Sequence, residues 1–189
     1  NLGYACINMS LSYPREWGGK PRGTERVTTN RSMIRKTFDQ RGISYASELG
    51  LQNVKDLETI VDWNEANNIK FYRLSSDIFP WASEYQLEEL PDFDKIQDIL
   101  ERVGNKAKRY GQRLTTHPGP FNKLTSPKES VIQNTITDLE NHGRLFDLLG
   151  LPRSAYAKIN IHVGAHYNNK PMAVDNFCRN FERLSDSVQ

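Results

Sequence analysis

The sequence predicts an α/β fold of the parallel-strand, TIM-barrel type, with about half of a (β/α)8 barrel present. Three observations predict it. Short apolar runs alternate with longer amphipathic stretches along the chain, the pattern of βα units feeding a parallel sheet. Three successive runs end on polar or chemically active residues, at Ser75-Ser76, at His117 and at His162. In a parallel barrel those C-terminal strand ends face the catalytic mouth. The third observation is length: 189 residues suffice for one domain with a proper core but fall short of the ~250 of a complete eight-unit barrel.

Taken in order, Leu2–Asn8 is a short apolar strand ending on a polar residue. From about 9 to 31 the composition shifts to Pro, Gly, Arg and Thr, which predicts a long basic loop carrying Arg15, Lys20, Arg22, Arg26 and Arg31 around Trp17. Such a loop suits phosphates and bases; a solvated connector is the plainer alternative. A helical stretch is predicted over Ser32–Arg41, then a clearer helix over Asn53–Asn67 with Asn53 as N-cap and an inward stripe of Leu57, Ile60 and Val61. Ile69–Ser76 follows as a strand, and its loop brings aromatics and the carboxylates Asp77 and Glu84.

The unit then repeats. Asp94–Tyr110 predicts a helix with Ile96, Ile99, Leu100, Val103 and Ala107 inward, closed by Gly111. Leu114–Thr116 is a strand running into His117-Pro118-Gly119-Pro120-Phe121, a turn that holds an aromatic outward at low entropic cost. Ser126-Pro127-Lys128-Glu129 reads as a capping box opening a helix towards Gly150. Lys158–Gly164 is a further strand, ending near His162, and Val174–Val188 a last helix burying Val174, Phe177, Phe181 and Leu184. The expected organisation is one partial barrel domain over 1–189.

Composition narrows the function classes. A net charge of +2 with a pI of about 8.5 permits a nucleic-acid partner without requiring one. Mean hydropathy is −0.68, yet the amphipathic stretches argue against disorder. Cys6 and Cys178 are too few and too distant for a disulfide framework or a thiolate metal site, which fits a reducing, intracellular location. No apolar run approaches the ~20 residues of a membrane span. The first residue is Asn rather than Met, so an excised segment is expected.

Glu84, His117 and His162 follow three consecutive strands. Imidazole and carboxylate converging on one mouth suit a divalent ion such as Mn2+, Fe2+ or Zn2+, although a turn histidine with one satisfied hydrogen bond is the plainer reading of His117 alone. His142 is expected on a solvated helix face, and His166 in a loop. No phosphate-cradling glycine loop and no Gly-x-Ser-x-Gly elbow is present; Cys6 reads as packing.

Five blocks of this chain together resemble the UV-damage endonuclease family: Leu2-Gly3-Tyr4-Ala5-Cys6-Ile7-Asn8, Phe71 through Ser83, Thr116-His117-Pro118-Gly119, Ile161-His162-Val163-Gly164, and Phe181 through Val188. The resemblance runs the length of the chain. It implies a metal-dependent barrel of the xylose-isomerase-like superfamily that nicks damaged double-stranded DNA immediately 5′ to a UV photoproduct. It further implies that His117 and His162 are catalytic metal ligands, with Mn2+ foremost and Mg2+ or Zn2+ as alternatives. Where the family has a third His, this chain has Glu84, a carboxylate able to replace imidazole on a hard ion. Tyr4, Asn8, Arg73 and Lys123 fall at positions the resemblance assigns to DNA. The family's Gln-Tyr lesion probe is here Pro120-Phe121, which keeps an aromatic wedge and loses the amide and the phenol.

Relative to that family, strands carrying further acidic and His ligands and a catalytic lysine are missing, so an N-terminal portion is expected, or self-association of two half-barrels. Two alternatives stand beside the endonuclease: a metal-dependent sugar isomerase or epimerase on the same barrel, and a damaged-DNA-binding fragment without catalysis.

Overall fold

Three short strands run parallel in chain order: β1 (Gly3–Ala5), β2 (Phe71–Arg73) and β3 (Arg113–Thr115). The computed structural model that shows them describes residues 2–13 and 26–189. Between and after the strands lie α1 (Met9–Ser12), α2 (Arg35–Ala66), α3 (Phe93–Tyr110), α4 (Glu129–Leu148) and α5 (Lys170–Phe181). The parallel, sequential order with helices between strands is the partial barrel the sequence predicts.

Tyr4, Tyr72 and Leu114 stand opposite one another in register, so their side chains share one face of the sheet. That face meets the helices. Tyr72 and Leu114 are fully buried, and the rings of Tyr4 and Tyr72 lie 5.0 Å apart. Leu57, Ile60 and Val61 of α2 and Ile96, Leu100, Val103 and Ala107 of α3 close over them in one core. Each leucine, isoleucine or valine side chain so removed from water contributes about 1.5–3 kcal/mol.

A fourth strand position exists only as a bridge. Thr116 pairs with Ile159: its N–H donates to Lys158 O at 2.9 Å, and its carbonyl accepts from Asn160 N–H at 3.0 Å. The expected strand over 158–164 stops there because the next donor in the ladder would be the amide of Pro118, which has no N–H.

Helix boundaries differ from expectation where tertiary partners decide them. The two predicted helical stretches join into α2, interrupted at Gly42 (φ 65°, ψ −160°), a backbone region essentially closed to residues with a Cβ. Asn53 is therefore no N-cap. It lies mid-helix and fully buried, donating to Ile78 O at 2.9 Å and Arg31 O at 3.1 Å, and accepting from Arg31 N–H at 3.0 Å. The capping box does not form: α4 starts at Glu129, whose carboxylate meets Arg183 at 2.7 Å, while Ser126 Oγ accepts from the Lys128 amide. The last helix begins earlier than predicted, at the Asn169 cap with Pro171 in the first turn, and ends at Phe181. Val174 is 52% exposed as a result, and Leu184 and Val188 fold back into a small core with Leu124 and Leu139. The α3 helix and its Gly111 cap stand as predicted.

Of the long basic loop, Arg15, Trp17, Lys20 and Arg22 lie outside the described residues. Its flanks are not open. Met9–Ser12 is helical, Thr28 and Thr29 are buried, and Arg31 turns inward to Asp56 at 2.5 Å. Among the described residues no helix is long and apolar enough to cross a membrane.

Helices α3 and α4 are locked at Gly104. A Cβ there would stand 1.7 Å from Leu149 O, a backbone atom that cannot step aside. Gly104→Ala is expected to destabilise the fold by about 1–3 kcal/mol through overpacking. Urea unfolding checks it; an unchanged midpoint would show that the helix ends separate freely.

Candidate functional site

The Pro118 that stops the sheet also arms the site. Asn160 O, left without its ladder donor, accepts from His117 Nδ1 at 2.7 Å. A backbone carbonyl can only accept, so Nδ1 carries the proton and the Nε2 lone pair of neutral His117 is left for a ligand. Two residues beyond Asn160, His162 brings its ring to 4.3 Å from that of His117, centroid to centroid. The structure thus brings the two predicted histidines together at the end of β3. Partial loss of solvent, then the neighbouring His117 and Lys123, hold the His162 pKa below its ordinary value, which favours the neutral, ligating form.

Glu84 is placed differently. It closes a 3-10 turn (Ala82–Glu84), and its carboxylate accepts from Arg35 Nη1 at 2.8 Å. Arg35 also pairs with Asp39 at 2.7 Å and lies 5.3 Å over the Trp81 ring. Among the described residues no three His, Cys, Asp or Glu side chains converge closely enough to hold a metal ion. The donor set present is the histidine pair. Two adjacent imidazoles, one with its tautomer set by a carbonyl, fit part of the coordination sphere of a divalent ion and leave its other positions to be filled.

The residues assigned to DNA divide into exposed and internal groups. Phe121 is 89% exposed, Pro120 is exposed beside it, and Lys123 is half-buried near His162. Asn8 is buried, 3% exposed: it caps α1 by accepting from Leu11 N–H and donates to Tyr4 Oη at 2.8 Å. Tyr4 Oη in turn donates to Asn64 at 2.7 Å. These two side chains tie β1 to α2 inside the fold. Arg73 sits on the sheet face away from the helices, half-buried, and its Nε has no partner among the described residues, as is true of Thr115 Oγ1 beside it in register.

Phe79, Trp81, Gly119 and Phe121 bound an open pocket of about 320 Å3 that Asp77 and Asp138 also line, with neither His117 nor His162 in its lining. Burial, then the charge of Asp138, raises the Asp77 pKa. Sequence reasoning missed His142, which is not on a solvated face. It is 4% exposed, with Nδ1 3.2 Å from Thr116 Oγ1 and Nε2 3.8 Å from Asp138. A signal was available: His142 falls in the helical stripe of Ile132, Thr135, Leu139 and Phe146, all buried.

With this geometry in view, similarity to known proteins is informative. The family model for UV-endonuclease UvdE matches residues 1–189. A UV-damage endonuclease of Schizosaccharomyces pombe is 37% identical over 190 residues, covering 100% of this chain and 30% of that one. A UV DNA damage endonuclease of Clostridium perfringens is 32% identical over 186 residues, 98% of this chain and 40% of that one. The crystal structure of SacUVDE superposes with a TM-score of 0.78 at 27% identity, over 98% of this chain and 57% of that one. The chain thus spans between 30% and 57% of the length of these three proteins.

Burial pushes the His142 pKa below its ordinary 6.5, against the attraction of Asp138 and Asp77. A histidine more easily protonated when unfolded makes the native state lose stability as pH falls below about 6.5. Asp77, with its folded pKa raised, works in the opposite sense in more acid solution, by taking up its proton in the native state first. The melting-temperature gap between wild type and His142→Asn should therefore be widest above pH 6.5 and narrow towards pH 5. Thermal circular-dichroism scans check it, and a gap constant with pH would refute the assignment.

Proposed function

The chain belongs to the UV-endonuclease UvdE family, and from that premise we propose that it carries part of the active site of a DNA-repair endonuclease that nicks damaged duplex 5′ to UV photoproducts with divalent metal ions. The observation that carries this reading is the His117–His162 pair, with His117 Nδ1 committed to Asn160 O. His117 and His162 would hold a divalent ion, Mn2+ foremost with Mg2+ or Zn2+ as alternatives, and such an ion supplies charge neutralisation at the scissile phosphate and an activated water.

The chain's own side chains then have distinct tasks. Lys123, close enough to His162 to shift its pKa, holds a backbone phosphate, a contact that positions without reading sequence. Phe121, exposed at the tip of its turn, fills the space left when a damaged pair unstacks, an opening that costs less where damage has weakened the stack. Pro120 offers no side-chain hydrogen bond to an orphaned base, so lesion discrimination rests on the fit of the aromatic. Arg73, half-buried on the sheet face away from the helices with its Nε buried and unpartnered among the described residues, offers the rest of its guanidinium to an anionic group on that face. Glu84, held by Arg35, acts in this reading as a brace of its loop. Tyr4 and Asn8 hold the end of β1 in place.

A second reading has an observation of its own. With no third ligand converging among the described residues, binding of damaged duplex without cutting is the outcome if these residues act alone. The family match gives no support to the sugar-isomerase alternative.

An end-labelled duplex holding one pyrimidine dimer, incubated with Mn2+, separates the two. The endonuclease reading expects a cut 5′ to the dimer that falls by at least about 100-fold in His117→Ala. Binding with no cut under any divalent ion would select the second reading. Affinity for the duplex should also fall steeply between about 50 and 200 mM salt; a flat response would remove DNA from both.

A further inference from the structure

The loop that carries Phe121 is fastened to one face of α4 at three places. Thr116, fully buried, places its Oγ1 3.2 Å from His142 Nδ1. Asn122 Nδ2 donates to Asp138 Oδ2 at 2.5 Å. The Lys123 amide donates to Thr135 Oγ1 at 3.0 Å. Positions 135, 138 and 142 follow the i, i+3, i+7 spacing of a single helix face, so the loop lies along α4 and is held on both sides of its tip. What stands exposed between the anchors is Pro120-Phe121, at the tip of a turn closed by the Asn122 amide donating to Gly119 O at 3.1 Å. The side chain next to Phe121, Asn122, is 8% exposed although Phe121 itself is the most exposed large hydrophobic residue described. The backbone of Phe121 is thus tied to a buried, ion-bonded side chain one residue on and to the sheet through Thr116 five residues before.

Building on the endonuclease reading, we propose that Asp138, supported by His142, is a positioning residue for damage recognition: it latches Asn122 so that Phe121 is presented at a fixed height above the His117–His162 pair. Neither Asp138 nor His142 touches the DNA in this scheme. Asp138 suits the task because it stands where three segments meet: α4 itself, the loop after β3 through Asn122, and the loop after β2 through Asp77, whose pKa it raises. A hydrogen bond to a charged acceptor is worth roughly tenfold to a hundredfold in the latched-to-open ratio of such a loop. A prealigned wedge adds selectivity because ordering is complete before the duplex arrives.

Two measurements on the whole chain test the proposal. Hydrogen exchange of the Asn122 and Lys123 amides in the free protein reads the latch without DNA. Asp138→Ala and Asn122→Ala should each speed exchange by about tenfold or more, and the double variant should be no faster than the faster single one. Asp138→Asn, which keeps a neutral oxygen acceptor in place, should fall between wild type and Asp138→Ala. Because Asn122→Ala leaves α4 unaltered, it carries the test if Asp138→Ala fails to fold. Competition binding with dimer-containing and undamaged duplex reads the consequence: Asp138→Ala should lose about tenfold in damaged-over-undamaged preference, with undamaged affinity unchanged and the preference partly restored in Asp138→Asn. Unchanged exchange in folded Asp138→Ala, additive effects in the double variant, or faster exchange with intact preference would each overturn the proposal. A wild type with no preference for damaged duplex would overturn the endonuclease reading and the recognition role together, while exchange would still report whether the latch itself holds.

Discussion

The mouth of this sheet depends on how Thr116 is held. Its amide and carbonyl both bond the 158–160 segment, and its hydroxyl meets a buried imidazole on α4. With no exposed surface, it has no slack. The residue after it is His117 and the next is a proline, so the ladder ends at the point where the first histidine leaves the sheet. The orphaned carbonyl of Asn160 then accepts a hydrogen bond from the His117 Nδ1–H. A backbone defect, the absent proline donor, becomes the device that sets the histidine tautomer and draws His162 alongside. Register, tautomer and the meeting of two side chains far apart in sequence follow from one paired residue and one missing N–H.

The surrounding polar groups follow the same economy. Three buried asparagines bind backbone across gaps between segments: Asn53 serves the 31 and 78 loops, Asn141 serves Ala82 O and Tyr85 O at 2.7 Å each, and Asn180 serves Leu124 O. Each supplies a donor to loop carbonyls that an irregular segment does not satisfy within itself. The helices do more than cover the sheet; their buried asparagines shape the mouth.

Legibility in the sequence tracks how local each determinant is. Helix α3 was readable to within a residue, because its apolar stripe and its glycine cap are local signals. The two histidines were readable because short runs ending on or near a His are local signals too, although the second run forms only a bridge. Asn53 misled, since an asparagine before an apolar stripe looks like a cap, and only the Arg31 and Ile78 backbones, more than twenty residues away in each direction, reveal its use. His142 misled for the opposite reason: its polarity outweighed its place in a buried stripe, and its partner Thr116 is distant in sequence. The engagement of Glu84 with Arg35 has no local signal at all. The capping box failed because Arg183 competes for the Glu129 carboxylate from the far end of the chain.

Asn53 also bears on the order in which the molecule assembles. Its side chain joins the 31 loop, α2 and the 78 loop, and none of those bonds can form until the middle turns of α2 exist to hold the amide in place. The two loops therefore share one buried anchor, whose loss would loosen both. Segments sharing one buried polar anchor open as a cooperative unit, with a single opening free energy in place of two independent ones. The rim of the sheet's mouth accordingly behaves as one body in time, although it is built from separate stretches of chain.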